Sequence, residues 1–154
     1  MSDIKRFFVE RKEEFREENA ALVQSLQRDL ALKGLENVQI IRRYDLDLNE
    51  SLDTEQVCNL VLSEPRVDQL YVETLPEAYN GKLVLAVEPL PGQYDQRADS
   101  CAQCIEVVAG EKPVVKTALV YVFTGSLTDD EVESVKRYLV NPVEARLASL
   151  DKPL

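Results

Sequence analysis

Apolar positions change their spacing repeatedly along the first half of the chain. "IKRFFVER" (Ile4 to Arg11) has the composition of a strand. Phe15, Leu22, Leu26 and Leu30 then recur near the helical period, which predicts a helix that Gly34 is placed to end. "VQIIRRYDLDL" (Val38 to Leu48) alternates apolar with polar, the pattern of a half-buried strand. Asp53 with Gln56 reads as a capping box, Val57, Leu60 and Val61 give the next helix an apolar face, and Pro65 stops it.

The second half repeats this order. "KLVLAVEPL" (Lys82 to Leu90) is an apolar strand, and "LPGQYDQRADSCAQC" (Leu90 to Cys104) opens a helix. Its Ala98, Cys101, Ala102, Ile105 and Val108 share one face. "PVVKTALVYVFTG" (Pro113 to Gly125) is the next strand, with a bend expected at Thr117. Thr128 and Glu131 form a capping box, and Val132, Val135 and Leu139 point to the core. "ETLPEAYNGK" between the halves carries Pro76 and an Asn80-Gly81 turn, so it reads as a connector.

Direct matches support a repeat: Ser51-Leu52 with Ser126-Leu127, Val57 with Val132, and Leu62 to Pro65 with Leu139 to Pro142. Two copies of a strand-helix-strand-helix unit predict an α+β fold of duplicated ferredoxin-like βαβ halves. Half one would span about residues 1–75 and half two about 82–150, with antiparallel sheets and four main helices. The exposed sheet faces of the halves would bury against each other, giving one pseudo-dimeric domain.

Composition bounds what such a domain can do. A chain of 154 residues buries roughly 70% of its unfolded surface, so it folds without needing a metal or disulfide. Its apolar runs are far shorter than the ~20 residues of a membrane span. "MSDIKRFFVERK" mixes charge with apolar residues and lacks a signal peptide's long apolar stretch, so the expected compartment is the cytoplasm. Lys and Arg number 18 against 28 Asp and Glu, a net charge of −10, which offers no basic face to nucleic acid. The "RKEEFREE" run (Arg11 to Glu18) reads as a solvated helix face.

Histidine is absent, so no Ser-His or Cys-His nucleophile pair can be built. The three cysteines, Cys58, Cys101 and Cys104, cannot alone complete a four-ligand zinc site. Cys101 and Cys104 have dithiol spacing, but Asp95 and Asp99 oppose a thiolate and Cys101 lies on the apolar helix face. Cys58 reads as packing. A phosphate at this helix start would meet the same two aspartates, with one glycine to receive it. Asp129, Asp130 and Glu131 suit a helix dipole, and Asp45 with Asp47 reads as the solvated side of a strand. No residue is therefore singled out as catalytic, cofactor-binding or metal-binding. Gln93, Tyr94, Asp95, Gln96, Arg97, Asp99 and Ser100 remain, as a candidate domain interface that also caps its own helix, with Arg42 and Arg43 nearby.

The run "LPGQYDQRADSCAQCI" closely resembles a segment near the N-terminus of the large, single-chain phosphoribosylformylglycinamidine synthases. "IKRFFVERK", "RRYDL", "LSEPRVDQLYVE" and "YLVNPVEAR" stand in the order found in clostridial-type members, so the resemblance covers practically the whole chain. It implies a domain similar to a dimer of PurS, the small accessory subunit of the multi-subunit form of that enzyme. The family's enzyme is a cytoplasmic carbon–nitrogen ligase of purine biosynthesis. It converts formylglycinamide ribonucleotide, glutamine and ATP into formylglycinamidine ribonucleotide, glutamate, ADP and phosphate.

ATP and magnesium belong to its synthetase domains, none of whose motifs has a position here. The resemblance thus implies a piece that is not catalytic alone and binds no cofactor. Its partners would be the synthetase and glutaminase domains, held for ammonia transfer. Residues 151–154, in "RLASLDKPL", resemble the start of a linker to the synthetase domains. The alternatives are a free-standing PurS-like accessory subunit, a ferredoxin-like small-molecule sensor with its ligand between the halves, and a dithiol redox protein.

Overall fold

The computed structural model describes residues 3–48 and 54–150. The chain runs β1 (Asp3–Arg11), α1 (Glu17–Leu30), β2 (Leu35–Leu48), α2 (Thr54–Val57), β3 (Asp68–Val72), β4 (Leu83–Pro89), α3 (Gln96–Ala109), β5 (Val114–Gly125), α4 (Asp129–Leu139) and β6 (Ala145–Leu147). A π-helical turn, Cys58–Leu62, continues α2. The class is α+β, with one antiparallel sheet in the order β3-β1-β2-β5-β4-β6. Exchanging β1 with β4, β2 with β5 and β3 with β6 turns that order into its own reverse.

The expected pair of sheets, face against face, does not form. The halves meet edge to edge, β2 against β5, through a ladder running from Asp47↔Val114 to Leu35↔Gly125. Both strands are long, and pairing them satisfies two rows of backbone donors and acceptors that would otherwise be exposed edges. Thr117 stays in register opposite Tyr44 without the expected bend; the ladder's irregularity lies at Leu35/Asn37.

Alternation along the strands sorts residues onto two faces. The helices cover one of them, and they do so in pairs drawn from different halves. Leu26 of α1 and Val135 of α4 share a cluster with Val38, Leu85 and Phe123. Val57, Cys58 and Leu62 share another with Cys101 and Ile105 of α3, over Phe7, Tyr44 and Leu46. Each core therefore needs both halves. A fully buried side chain such as Ile105 contributes about 1.5–3 kcal/mol by leaving water.

The other face holds Phe8, Ile41, Ala86, Val120 and Val122, covered by two crossing segments. The connector after β3 lays Leu75 and Tyr79 over it, and the segment after β6 adds Ala148. Most charged groups buried on this face have partners, while Gln39 Oε1 and Asp47 Oδ1 are buried without one among the described residues. Arg6 grips Asp45 through two bonds, Nε to Oδ1 at 2.8 Å and Nη2 to Oδ2 at 2.9 Å. Its Nη1 also donates to the Leu150 carbonyl at 2.9 Å, and Arg43 donates to the Ser149 carbonyl at 2.8 Å. Glu10, with no exposed surface, accepts from the Tyr71 hydroxyl at 2.9 Å and the Tyr79 hydroxyl at 2.7 Å. Burial and then the Glu10 bond push the Tyr71 phenol up to about 12, and the same causes raise Tyr79.

Several local expectations are corrected. Phe15 lies in a 3₁₀ turn ahead of α1 and is exposed, because α1 begins only at Glu17. The left-handed residue ending α1 is Ala31 (φ 54, ψ 42), not Gly34. Gly34 serves the seam instead: a Cβ there would run into the Ser126 carbonyl oxygen, and one on Gly125 (φ +121) into that of Gly34. The π-helical widening turns Leu60 outward and brings Cys58 and Leu62 to the core with Val57. Asp45 is not a solvated carboxylate, because Arg6 follows it into the interior. The Thr128–Glu131 capping box forms with both of its bonds. Asp53 of the other expected box, Ser51-Leu52 of the repeat and residues 151–154 lie outside the described residues. Among the described residues, no helix is long and apolar enough to cross a membrane.

Candidate functional site

β4 ends at Pro89, where the Leu90 amide donates to the Glu144 carbonyl at 2.9 Å and so ties the loop to the approach of β6. The Gln93 amide donates back to the Leu90 carbonyl at 3.0 Å, closing a turn around Pro91-Gly92. Asp95 then caps α3: its Oδ1 accepts from the Ala98 amide at 2.9 Å. Its Oδ2 accepts from the Thr117 hydroxyl at 2.7 Å and from the Thr117 amide at 3.3 Å. One carboxylate thus starts the helix and locks it to β5.

The second aspartate is also taken. Asp99 accepts from the Tyr94 hydroxyl at 2.7 Å and from Gln103 Nε2 at 2.9 Å. The Asp99 bond raises the Tyr94 phenol pKa while its ring stays 73% exposed. Arg97 is half-buried and makes no hydrogen bond or ion pair among the described residues. Its charge reaches across the helical face of the sheet. Burial raises the phenols of Tyr44 and Tyr121, and Arg97 opposes the rise at both.

These residues border a cleft of about 470 Å³. Gln93, Tyr94, Asp95, Gln96 and Arg97 form one side; Val87, Pro89 and Leu119 supply apolar wall, and Thr117, Glu88 and Glu144 polar wall. Of the seven residues singled out by sequence, five line the cleft. Asp99 and Ser100 do not, since the first turn of α3 carries them past it. Arg43 is buried on the opposite face and unavailable to this site, while Arg42 stays on the helical face, bordering a second depression with Glu17 and Glu18.

Sequence reasoning missed Thr117, Leu119 and Glu144, which other elements bring in. Thr117 did carry a signal, as a polar residue inside an apolar strand.

The C-x-x-C pair divides. Cys101 is buried, and burial, then Cys104 and Asp95, push its thiol up to about 12; Cys104 is exposed. Thiolate exchange needs a thiol that ionises far lower, so this environment suits packing. Among the described residues no cluster of His, Cys, Asp or Glu is arranged to hold a metal ion. What the site offers is a loop pinned by Asp95 to α3 and β5, an open cleft and, in Arg97, a guanidinium without a hydrogen-bond or ion-pair partner among the described residues. No family model matches the chain, and no curated protein matches it.

Proposed function

We propose that this chain is a PurS-like assembly domain of phosphoribosylformylglycinamidine synthase. On this reading it is not catalytic alone and holds the synthetase and glutaminase domains in the arrangement that passes ammonia between them. The observation that carries the reading is the palindromic strand order, with each core built by helices of both halves. Two like units side by side would produce that architecture, and the resemblance implies two PurS-like copies joined in one chain. Both halves of the proposed duplication have the order strand, helix, strand, helix, short strand.

The mechanism on this reading is positional. Asp95 fixes the start of α3 against β5, so the loop from Gln93 to Arg97 meets a partner without first being ordered. Correct docking keeps ammonia out of water on its way to the synthetase. The test is kinetic, in the complete enzyme carrying this domain. Arg97→Ala should lower formation of formylglycinamidine ribonucleotide more than it lowers glutamine hydrolysis. Equal losses in the two rates would count against the assembly role.

A further inference from the structure

We propose that the cleft beside Arg97 is a socket for a carboxylate side chain of the partner domain, an inference that rests on the assembly reading above. The chain carries 28 acidic residues against 18 basic ones, so a half-buried guanidinium without a counter-ion is out of keeping with its surroundings. The acids closest in sequence are committed elsewhere: Asp95 to Ala98 and Thr117, Asp99 to Tyr94 and Gln103. Glu88 in the cleft wall faces Arg146 at 3.5 Å. Glu144 also lines the cleft, yet no carboxylate among the described residues comes within ion-pair distance of Arg97, and its charge is thus left for a group from outside.

That group is a carboxylate rather than a phosphate. Glu88, Glu144 and Asp95 line the same cleft, and their charge repels a dianion more than a single carboxylate. A guanidinium fork matches two carboxylate oxygens in its own plane. The group arrives on a protein segment. Val87, Pro89 and Leu119 give apolar wall for the stem of the incoming side chain, and the exposed Tyr94 ring, held by Asp99, offers a flat contact beside it. Tyrosine and arginine around a partly desolvated pocket are the residue types that dominate binding energy at interfaces.

The experiment measures binding of this chain to a synthetase–glutaminase polypeptide of the enzyme that lacks its own N-terminal domain. Calorimetry would compare wild type, Arg97→Gln and Arg97→Glu at low and high salt. Arg97→Gln should weaken binding by about 30-fold or more, the loss expected when one member of a desolvated charge pair is removed. It should also flatten the salt dependence. Arg97→Glu should weaken binding further, and one Asp→Arg or Glu→Arg change in the partner should restore it. Near-UV circular dichroism of each variant checks that the fold is kept. If wild type does not bind, the assembly reading fails and takes this inference with it. If wild type binds and Arg97→Gln binds equally well, or no partner acid rescues Arg97→Glu, the socket alone is overturned.

Discussion

The starts of α1 and α3 occupy corresponding places in the two halves, each following the first strand of its half, and they are built in opposite ways. Ahead of α1, Arg16 (φ −98, ψ 43) provides no side-chain acceptor to the helix. Its guanidinium turns inward, donating to the Arg11 carbonyl at 2.7 Å and lying 3.6 Å from buried Glu10. Ahead of α3, Asp95 accepts from both the helix and the adjacent strand, and the cation two residues on is left open. The first connection spends its charges on sealing the sheet. The second uses its acids to set a loop and leaves Arg97 unanswered. Places that correspond in the palindromic strand order can thus differ in whether their charges are paired within the fold.

If this division is right, charge changes in half one should cost the most stability, and loss of the Arg97 charge in half two should cost function rather than stability. Asp45→Ala leaves Arg6 buried without its carboxylate and should destabilise by about 3–5 kcal/mol, read from urea unfolding. Gly34→Ala forces a methyl group onto the Ser126 carbonyl at the seam and should cost about 1–3 kcal/mol in the same assay. Asp95→Ala removes the α3 cap and the link to Thr117; about 0.5–2 kcal/mol of stability should go with the cap. Faster amide exchange from Ala98 to Cys101 would show the loosened helix start. Arg97→Gln should change stability by less than about 0.5 kcal/mol, as a change without lost intramolecular partners does. A large loss of stability in Arg97→Gln would blur the comparison.

The cores and strands were legible because their signals are local. The strand composition around Phe7 to Val9, the alternation from Val38 to Leu46 and the spacing of Ala98, Cys101 and Ile105 each pick out positions that are buried. The loop from Gln93 to Arg97 was legible for its density of donors and acceptors. What local pattern could not show is what covers the second sheet face. Asp45 reads as the solvated side of a strand and Arg43 as a neighbour of the candidate interface, and nothing local marks Arg6 or Glu10 as interior. They are buried because Tyr79, Ser149 and Leu150 arrive from distant parts of the sequence to bond them or their partners. The same limit hid Thr117, whose role appears only when Asp95 is folded against it.

The seam between β2 and β5 also governs how the chain must come together in time. Gln39 pairs with Val122, so the centre of the sheet cannot close until β5 has left the ribosome. Until then the long edge of β2 waits unpaired beside apolar side chains, the kind of surface on which nascent chains aggregate or recruit chaperones. Synthesis halted before β5 should therefore yield insoluble or chaperone-held fragments, however well the first strands and helix are patterned.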